Sequence, residues 1–321
     1  MIELLESRVL LAASIRFAVI GDYGSGTSDE AAVAARVARW NPNLVITVGD
    51  NNYAQATFDD LDNNIGQYYH DFIYPYAGTF GQGSPDGVNR FFPSPGNHDW
   101  STGSLQAYTD YFALPGNERY YTFTQGPVQF FAIDADPNEP DLGYVNATTF
   151  TARSREGRWL KSALAGSTAQ WKIVYFHQAP FSSGRNHGSS PYMQWPFEAW
   201  GADAVFSGHD HDYERIIHKG FAYFVTGPGD ADELAEAGFP ATGTATPGTT
   251  VWTLTRCQKR MPQIPQTSAE SIWTPSGEAV QERRWKDGRT RRETRGRKRE
   301  NVNTAHQVSL RKKIASSRLA E

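Results

Sequence analysis

The segment IRFAVIGDYG, residues 15–24, sets the pattern by which the rest of the chain can be read. Ile15 to Ile20 is an apolar run of β-branched and aromatic residues broken only by Arg16, the signature of a buried strand. Gly21 then permits a tight turn, and an acid, Asp22, stands just past the strand end. The arrangement returns at LVITVGDNNY (44–53), where Asp50 follows Val48-Gly49, and at FFPSPGNHDW (91–100), where Asn97 and His98 follow Pro95-Gly96. It returns again at WKIVYFHQ (171–178), with His177 after Tyr175-Phe176, and at AVFSGHDH (204–211), with His209 and His211 after Ser207-Gly208. In open α/β sheets ligands bind outside the carboxyl ends of the strands, so these polar residues are expected to share one edge of the fold.

Between and after these runs the pattern predicts strands at Ile15–Ile20, Leu44–Val48, Arg90–Pro93, Tyr120–Thr124, Val128–Ile133, Trp171–Phe176, Ala204–Ser207, Arg215–His218 and Ala222–Thr226. Helical periodicity covers Ser28–Trp40, capped by Ser28 and stopped by Pro42, and recurs at Leu105–Phe112, Ser154–Ala165 and Tyr192–Trp200. Gln125-Gly126-Pro127 reads as a turn between two strands. Helices alternating with strands early and hairpins later give a mixed α/β (α+β) class: a two-sheet β-sandwich flanked by helices, with its site at the C-terminal ends of the strands.

Composition narrows the function classes. With 321 residues, 39% hydrophobic, the chain is long enough to bury a core as one large domain or two small ones. No apolar run approaches the ~20 residues of a membrane-spanning helix. The single cysteine, Cys257, leaves no intrachain disulfide framework and no thiolate cluster, so a metal must be held by Asp, Asn, His or Tyr. A net charge of −4 gives no reason to expect nucleic acid as a partner.

That average conceals two unlike parts. Residues 1–229 carry 14 Lys+Arg against 24 Asp+Glu, whereas 230–321 carry 17 against 11, and all 15 tyrosines and 17 of the 18 phenylalanines lie in the first part. Residues 15–229 are therefore expected to form the catalytic domain. Residues 230–321 read as an atypical basic tail: the stretch RRWKDGRTRRETRGRKRE (283–300) is nearly all charge and Gly, a composition that argues for disorder, and Thr250–Thr255 is the one convincing strand there. Nonspecific contact with a polyanion is open to such a tail, and the abrupt loss of aromatics also fits a reading-frame shift. Residues 1–14 form a short leader-like segment without the apolar stretch of a secretory signal. Its LESRVLL (5–11) resembles the LEPR-type motif near the start of some bacterial extracytoplasmic proteins, which makes an extracytoplasmic or secreted location the expectation.

Five short motifs occur in order: Gly21-Asp22-Tyr23-Gly24, Gly49-Asp50-Asn51-Asn52-Tyr53, Gly96-Asn97-His98-Asp99, Phe176-His177 and Gly208-His209-Asp210-His211. They supply oxygen and nitrogen donors without sulfur, the ligands of hard and borderline metals. In this order and context they resemble the calcineurin-like metallophosphoesterase superfamily, over about residues 15–229. Within it they are similar to the purple acid phosphatase branch: most of the superfamily has a metal-ligating His where this chain has Gly24, and the purple branch uses instead a Tyr three residues after the second Asp, which is Tyr53 here.

The resemblance implies the metallophosphoesterase fold and a binuclear centre. A first metal, Fe(III), would be held by Asp22, Asp50, Tyr53 and His211; a second, divalent Fe, Zn or Mn, by Asp50, Asn97, His177 and His209. Carboxylate and phenolate suit a trivalent hard cation, while amide oxygen and imidazole suit a divalent one. Two metals ~3.5–4 Å apart clamp a phosphoryl group and lower the pKa of bound water, so the implied reaction is in-line attack of a metal-bound hydroxide on a small-molecule or peptide phosphate ester. His98 is then placed to bind a phosphate oxygen or protonate the leaving group, with Asp99 orienting it, and His187, in the loop Ser182–Ser190, to contact substrate. His70, His218 and His306 match no motif, and the aromatics Tyr68, Tyr69, Phe72, Tyr74 and Tyr76 read as core or pocket wall. The implied activity is that of a phosphomonoesterase of the acid phosphatase type. A phosphodiesterase or nucleotidase on the same centre is the alternative, and a non-catalytic binding module that keeps the fold is a third reading. The chain is too short before Ile15 for the N-terminal β-domain of the large plant-type members, which points to the compact form.

Overall fold

A computed structural model of the chain describes residues 14–53 and 56–227 in full, and the backbone of 250–255 and 282–285. The leader-like segment, His306 and most of 230–321 lie outside the described residues, as does the question of a frame shift.

All nine strands expected between Ile15 and Thr226 form, with ends shifted by a residue or two: β1 (Ser14–Ile20), β2 (Leu44–Val48), β3 (Phe91–Ser94), β4 (Tyr121–Gln125), β5 (Val128–Ala132), β6 (Trp171–Gln178), β7 (Ala204–Gly208), β8 (Tyr213–His218) and β9 (Phe221–Thr226). Thr250–Thr255 forms β10, as expected. A short β11, Glu282–Trp285, stands at the start of the charge-rich stretch for which disorder was the expectation; an outer strand asks only for backbone pairing along one edge.

Two sheets result. The first runs β10-β1-β2-β3 and the second β11-β8-β9-β7-β6-β5-β4. β1, β2 and β3 are mutually parallel, as are β5, β6, β7 and β9, so each sheet collects a row of strand C-termini. Pro93 lies within β3, which is tolerated because β3 is an edge strand and needs no donor on its outer side.

The sheets meet through aromatic contacts. Phe17 of β1 packs edge-on against Phe130 of β5 and Phe206 of β7, with ring centres 5.1 and 6.3 Å apart. Strand alternation then fills a second layer: Phe130, Ile173 and Tyr175 face the interior between the sheets, while Phe131, Val174 and Phe176 belong to the cluster with Leu160 and Leu164. With both faces covered, the parallel strands read as continuous apolar runs rather than alternating ones.

Of the helices, α1 (Ser28–Trp40) and α5 (Arg155–Gly166) match the periodicity; α1 ends on Asn41 in the left-handed region (φ 46°) and α5 starts on Ser154, whose hydroxyl caps the Gly157 N–H at 3.0 Å. α4 (Gln106–Tyr111) lies within the expected Leu105–Phe112. The N-cap of α1 is Thr27 rather than Ser28, and its side chain makes no capping bond; two further expectations are corrected. The helix at Tyr192–Trp200 is a 3-10 turn, Pro191–Met193, followed by a separate α6, Phe197–Trp200, because Pro196 lacks the N–H needed to carry a helix through and holds Trp195 out of helical backbone.

The segment Phe58–Phe72, for which no helix was expected, is helical throughout in short turns: α2 (Phe58–Leu61), a π turn (Asp62–Gly66), α3 (Gln67–Tyr69) and a 3-10 turn (His70–Phe72). Its pin is the Asp62 carboxylate, which accepts from Tyr76 Oη (2.5 Å), Thr79 N and Oγ1 (2.8 Å each) and Tyr111 Oη (3.1 Å). The aromatics of this region divide accordingly: Tyr69 and Phe72 are core, and Tyr74 is exposed.

At the mouth of α5 the Glu156 carboxylate accepts the Asp134 N–H (2.7 Å) and ties β5 to the helix, while Trp100 Nε1 donates to Asp134 Oδ2 (3.1 Å). Both acids are wholly buried, and Glu156 Oε2 has no hydrogen-bond partner among the described residues. Burial pushes both carboxyls well above the usual range, and the charge of Glu139 adds to this at Asp134, that of Asp134 at Glu156. Their protons are thus retained in the folded chain at pH values where the unfolded chain has lost them. The stability they contribute is full below about pH 4 and drains away as pH rises. Glu156→Gln keeps the acceptor and removes the charge, so it is expected to stabilise the fold by on the order of 1–3 kcal/mol at pH 7 and by nothing near pH 4. Denaturant titrations at the two pH values measure this, and an equal effect at both would refute the assignment.

Candidate metal centre

Five strand ends converge on one point: β1, β2 and β3 from the first sheet, β6 and β7 from the second. Asp22, Asp50 and His209 leave their strands with positive φ (53°, 48° and 71°). A non-glycine residue holds such backbone at a cost of about 1–3 kcal/mol, Asp tolerating it better than His. His177 sits inside the end of β6, where pairing with β7 slips between Tyr175 and Gln178, an irregularity that re-aims a side chain. Gly49 is required by its neighbour as well as by its turn (φ 88°): a Cβ there would lie 2.6 Å from the His177 ring.

The structure brings together all seven residues expected as ligands. Donor atoms of Asp22, Asp50 and His177, all buried, lie within 4.8 Å of one another. His177 Nδ1 donates to the Val48 carbonyl at 2.9 Å, which leaves Nε2 as the nitrogen turned inward; burial opposes a charge on the ring, but Asp50 and Asp22 raise its pKa to about 10. Around Nε2 stand Asn97 Oδ1 (3.0 Å), His209 Nδ1 (3.1 Å) and Asp50 Oδ2 (3.2 Å). On the other side Asp22 Oδ1 receives His211 Nε2 at 3.2 Å and Tyr53 Oη at 3.4 Å. Backbone N–H groups steady both acids, His98 N on Asp50 Oδ1 (2.9 Å) and His209 N on the Asp22 carboxylate (3.1 and 3.2 Å).

The donor chemistry fits a cation. Asp22 and Asp50 are each 1% exposed, and among the described residues their ion-pair partners are imidazoles, with no Lys or Arg. Buried charge is tolerated when paired or when it coordinates a metal. Burial opposes the Asp50 charge, but His177 and His98 beside it bring that carboxyl down to about 2. Burial and the neighbouring His177 and His187 hold His209 neutral, its pKa pushed down to about 2, and a neutral imidazole is the form that ligates. Two carboxylates, an amide oxygen, three imidazoles and a phenol make a donor set for hard and borderline ions.

The remaining expected residues divide. His98 stands at the rim, its side chain 42% exposed, Nε2 4.0 Å from Asp50 Oδ2 and its ring 4.6 Å from that of Tyr53. The exposed His187 stacks on His209 with ring centres 4.0 Å apart. Asp99 turns inward instead of toward the His98 ring: it is 1% exposed and accepts from Gly96 N (2.8 Å) and from Asn51 Nδ2 and N (2.9 and 3.2 Å). It thereby clamps the loop after β2 to the loop after β3. Asn51, unremarked in the sequence reading, is the other half of that clamp, its Oδ1 receiving Tyr23 Oη at 3.0 Å and Thr47 Oγ1 at 2.5 Å, and its Nδ2 donating to the Ser94 carbonyl at 2.8 Å. Its place between Asp50 and Tyr53 was the available signal. His70 and His218 take packing roles, His70 Nδ1 on the Gly66 carbonyl (2.8 Å) and His218 stacked on Phe181 (4.3 Å).

Gly24 has a steric reason. Its carbonyl accepts the Tyr53 N–H at 2.7 Å, and a Cβ at residue 24 would sit 1.8 Å from the Asn51 carbonyl oxygen. The backbone that presents Tyr53 therefore leaves no room for a side chain at 24.

Residues 15–213 match the family model described as Calcineurin-like phosphoesterase. Purple acid phosphatase 15 of Arabidopsis thaliana is 26% identical over 62% of this chain and 40% of its own length, and an acid phosphatase of Aspergillus ficuum is 24% identical over 57% and 36%. The chain spans less than half the length of the curated relatives it matches. Among solved structures, GAP50, the anchor in the inner membrane complex of Plasmodium, aligns with a TM-score of 0.49 at 23% identity, covering 68% of this chain and 73% of that one.

The steric reading of Gly24 is testable by thermal unfolding. Gly24→Ala is expected to cost about 1–3 kcal/mol by forcing the Asn51 backbone aside. Gly166→Ala, where an added Cβ meets nothing within 4 Å, is expected to be neutral or slightly stabilising. Equal melting temperatures for the two variants would remove the argument.

Proposed function

Because this chain belongs to the calcineurin-like phosphoesterase family, in its purple acid phosphatase-like branch, we propose that it is a metal-dependent phosphoric ester hydrolase, and within that class a phosphomonoesterase of the acid phosphatase type. The observation that carries the reading is the cluster around His177 Nε2, with Asn97 Oδ1, His209 Nδ1 and Asp50 Oδ2 at 3.0–3.2 Å, beside a second buried carboxylate, Asp22. Two buried carboxylates so close call for positive charge between them, which the protonated His177 ring supplies and a bound cation would supply in its place.

Asp22, Asp50, Tyr53 and His211 would hold one ion, Fe(III) in this reading, and Asp50, Asn97, His177 and His209 a divalent Fe, Zn or Mn. Two such ions supply Lewis acidity, neutralising phosphate charge and acidifying water. The chain's own residues do the rest. The Val48 carbonyl orients the His177 ring so that Nε2 is the nitrogen that would face the ion. His98 faces solvent at the rim, its amide tied to Asp50, and Nε2 there can hydrogen-bond a phosphate oxygen or give a proton to the departing alkoxide. His187, stacked on His209, presents its free edge where an ester bound over the carboxylates would lie. Asp99 and Asn51 keep the loops of Asp50 and of Asn97-His98 at fixed separation.

Purified protein is expected to hydrolyse p-nitrophenyl phosphate, to lose that activity to chelator and to regain it with iron plus zinc or manganese. Iron-loaded protein is expected to show a broad visible band that Tyr53→Phe abolishes, and His98→Ala to lower kcat by about 10²–10⁴-fold. Faster turnover of bis(p-nitrophenyl) phosphate than of the monoester would reassign it as a diesterase. Metal-loaded protein that hydrolyses neither ester would be a binding module.

A further inference from the structure

We propose that Asp210, the residue between His209 and His211, is a positioning residue that holds His187 over the centre and so sets affinity for the phosphate ester; this rests on the phosphoesterase reading above. Asp210 is 2% exposed and points away from the carboxylates into the loop Ser182–Ser189. Its Oδ2 accepts the Ser182 hydroxyl at 2.5 Å and the Gly188 N–H at 2.9 Å, and its Oδ1 accepts the His187 N–H at 3.3 Å. Ser182 Oγ in turn accepts the Gly184 N–H at 2.9 Å. A Cβ on Gly184 would lie 2.1 Å from the Asp210 carboxylate, so the loop is wrapped around that group with no slack.

Two further contacts close the loop. Ser182 N donates to Ser189 Oγ at 3.0 Å, and Ser189 Oγ donates to the Ser182 carbonyl at 3.1 Å, which joins its two ends. Glu214, at the start of β8, receives the Ser183 N–H at 2.8 Å and the Ser183 hydroxyl. The peptide N–H groups of a short, polar loop thus converge on carboxylates borne by the segment Gly208–Arg215. Bonds to an ionised acceptor are about twice as strong as neutral ones. The His187 ring, stacked at 4.0 Å on His209 and 5.9 Å from His211, is located through its own main chain. The segment that carries two ligands therefore also fixes the side chain placed to meet substrate.

The test combines kinetics with amide exchange on metal-loaded protein. Asp210→Ala is expected to raise KM for p-nitrophenyl phosphate about tenfold, the loss of roughly one charge-assisted bond's worth of binding, with kcat and metal content nearly unchanged. Asp210→Asn, which keeps one acceptor oxygen, is expected to fall between. His187→Ala is expected to raise KM similarly, and the Asp210→Ala/His187→Ala double variant no further than His187→Ala alone. Exchange of the amides of residues 183–188 is expected to quicken about tenfold or more in Asp210→Ala, and that of β6 to stay as it was. KM effects that multiply in the double variant, or loss of metal with unchanged exchange, would overturn the proposal. Should Asp210→Ala fail to fold, Ser182→Ala removes one of the three bonds and is read the same way. If the wild-type protein hydrolyses no ester, the exchange comparison decides alone: unchanged exchange in residues 183–188 refutes the latch, whatever the fate of the phosphatase reading.

Discussion

Asp22 and Asp50 are like charges buried side by side, with imidazoles but no Lys or Arg among the described residues to pair with them. A fold can keep such a pair only by lining the space with groups that tolerate or require a positive charge there. The rest of the architecture answers that constraint. Parallel strands deliver their C-terminal ends to one place from both sheets; the loops after β1, β2, β3 and β7 each spend a glycine or a left-handed residue, and β6 slips its pairing, so that a donor turns inward rather than onward.

Around that point the support is layered. The backbone N–H groups of His98 and His209 orient the carboxylates, the Val48 carbonyl orients His177, and Asn51 with Asp99 ties two of the loops together. Farther out, the aromatic seam of Phe17, Phe130 and Phe206 keeps the sheets in register with each other. Precision at the centre is therefore inherited from the sandwich and does not depend on any flexible element among the described residues.

The strands were legible because both faces of the parallel sheets are buried, so that β-branched and aromatic residues run without interruption, and most of the polar residues that meet at the centre were legible because they stand just past such a run. What escaped is equally physical. Phe58–Phe72 is rich in Asp, Asn and aromatics, poor helix formers, and is wound into helix by the tertiary hold on Asp62 from Tyr76, Thr79 and Tyr111. Asp99 looks in sequence like a partner for the adjacent His98, yet neighbours in a turn point apart, and its donors are Gly96 and Asn51, the latter 48 positions away. Asp210 was hidden between two histidines, its role visible only once the loop from Ser182 folds over it. Pro196 did carry a local signal, and reading through it as helix ignored the missing N–H.

The bond between Tyr53 and Gly24 has a bearing on ancestry. The Tyr53 amide rests on the Gly24 carbonyl, and the Asn51 carbonyl fills the space where any side chain on residue 24 would begin. A histidine at 24 and a tyrosine at 53 therefore compete for the same volume through the backbone between them. Exchanging one for the other is not a walk of independent point mutations: a side chain added at 24 first displaces the Asn51 backbone, and a side chain removed at 53 first costs the centre its phenol. Lineages on the two sides of such a gap are expected to stay apart, each confined to the metals its own set of donors prefers.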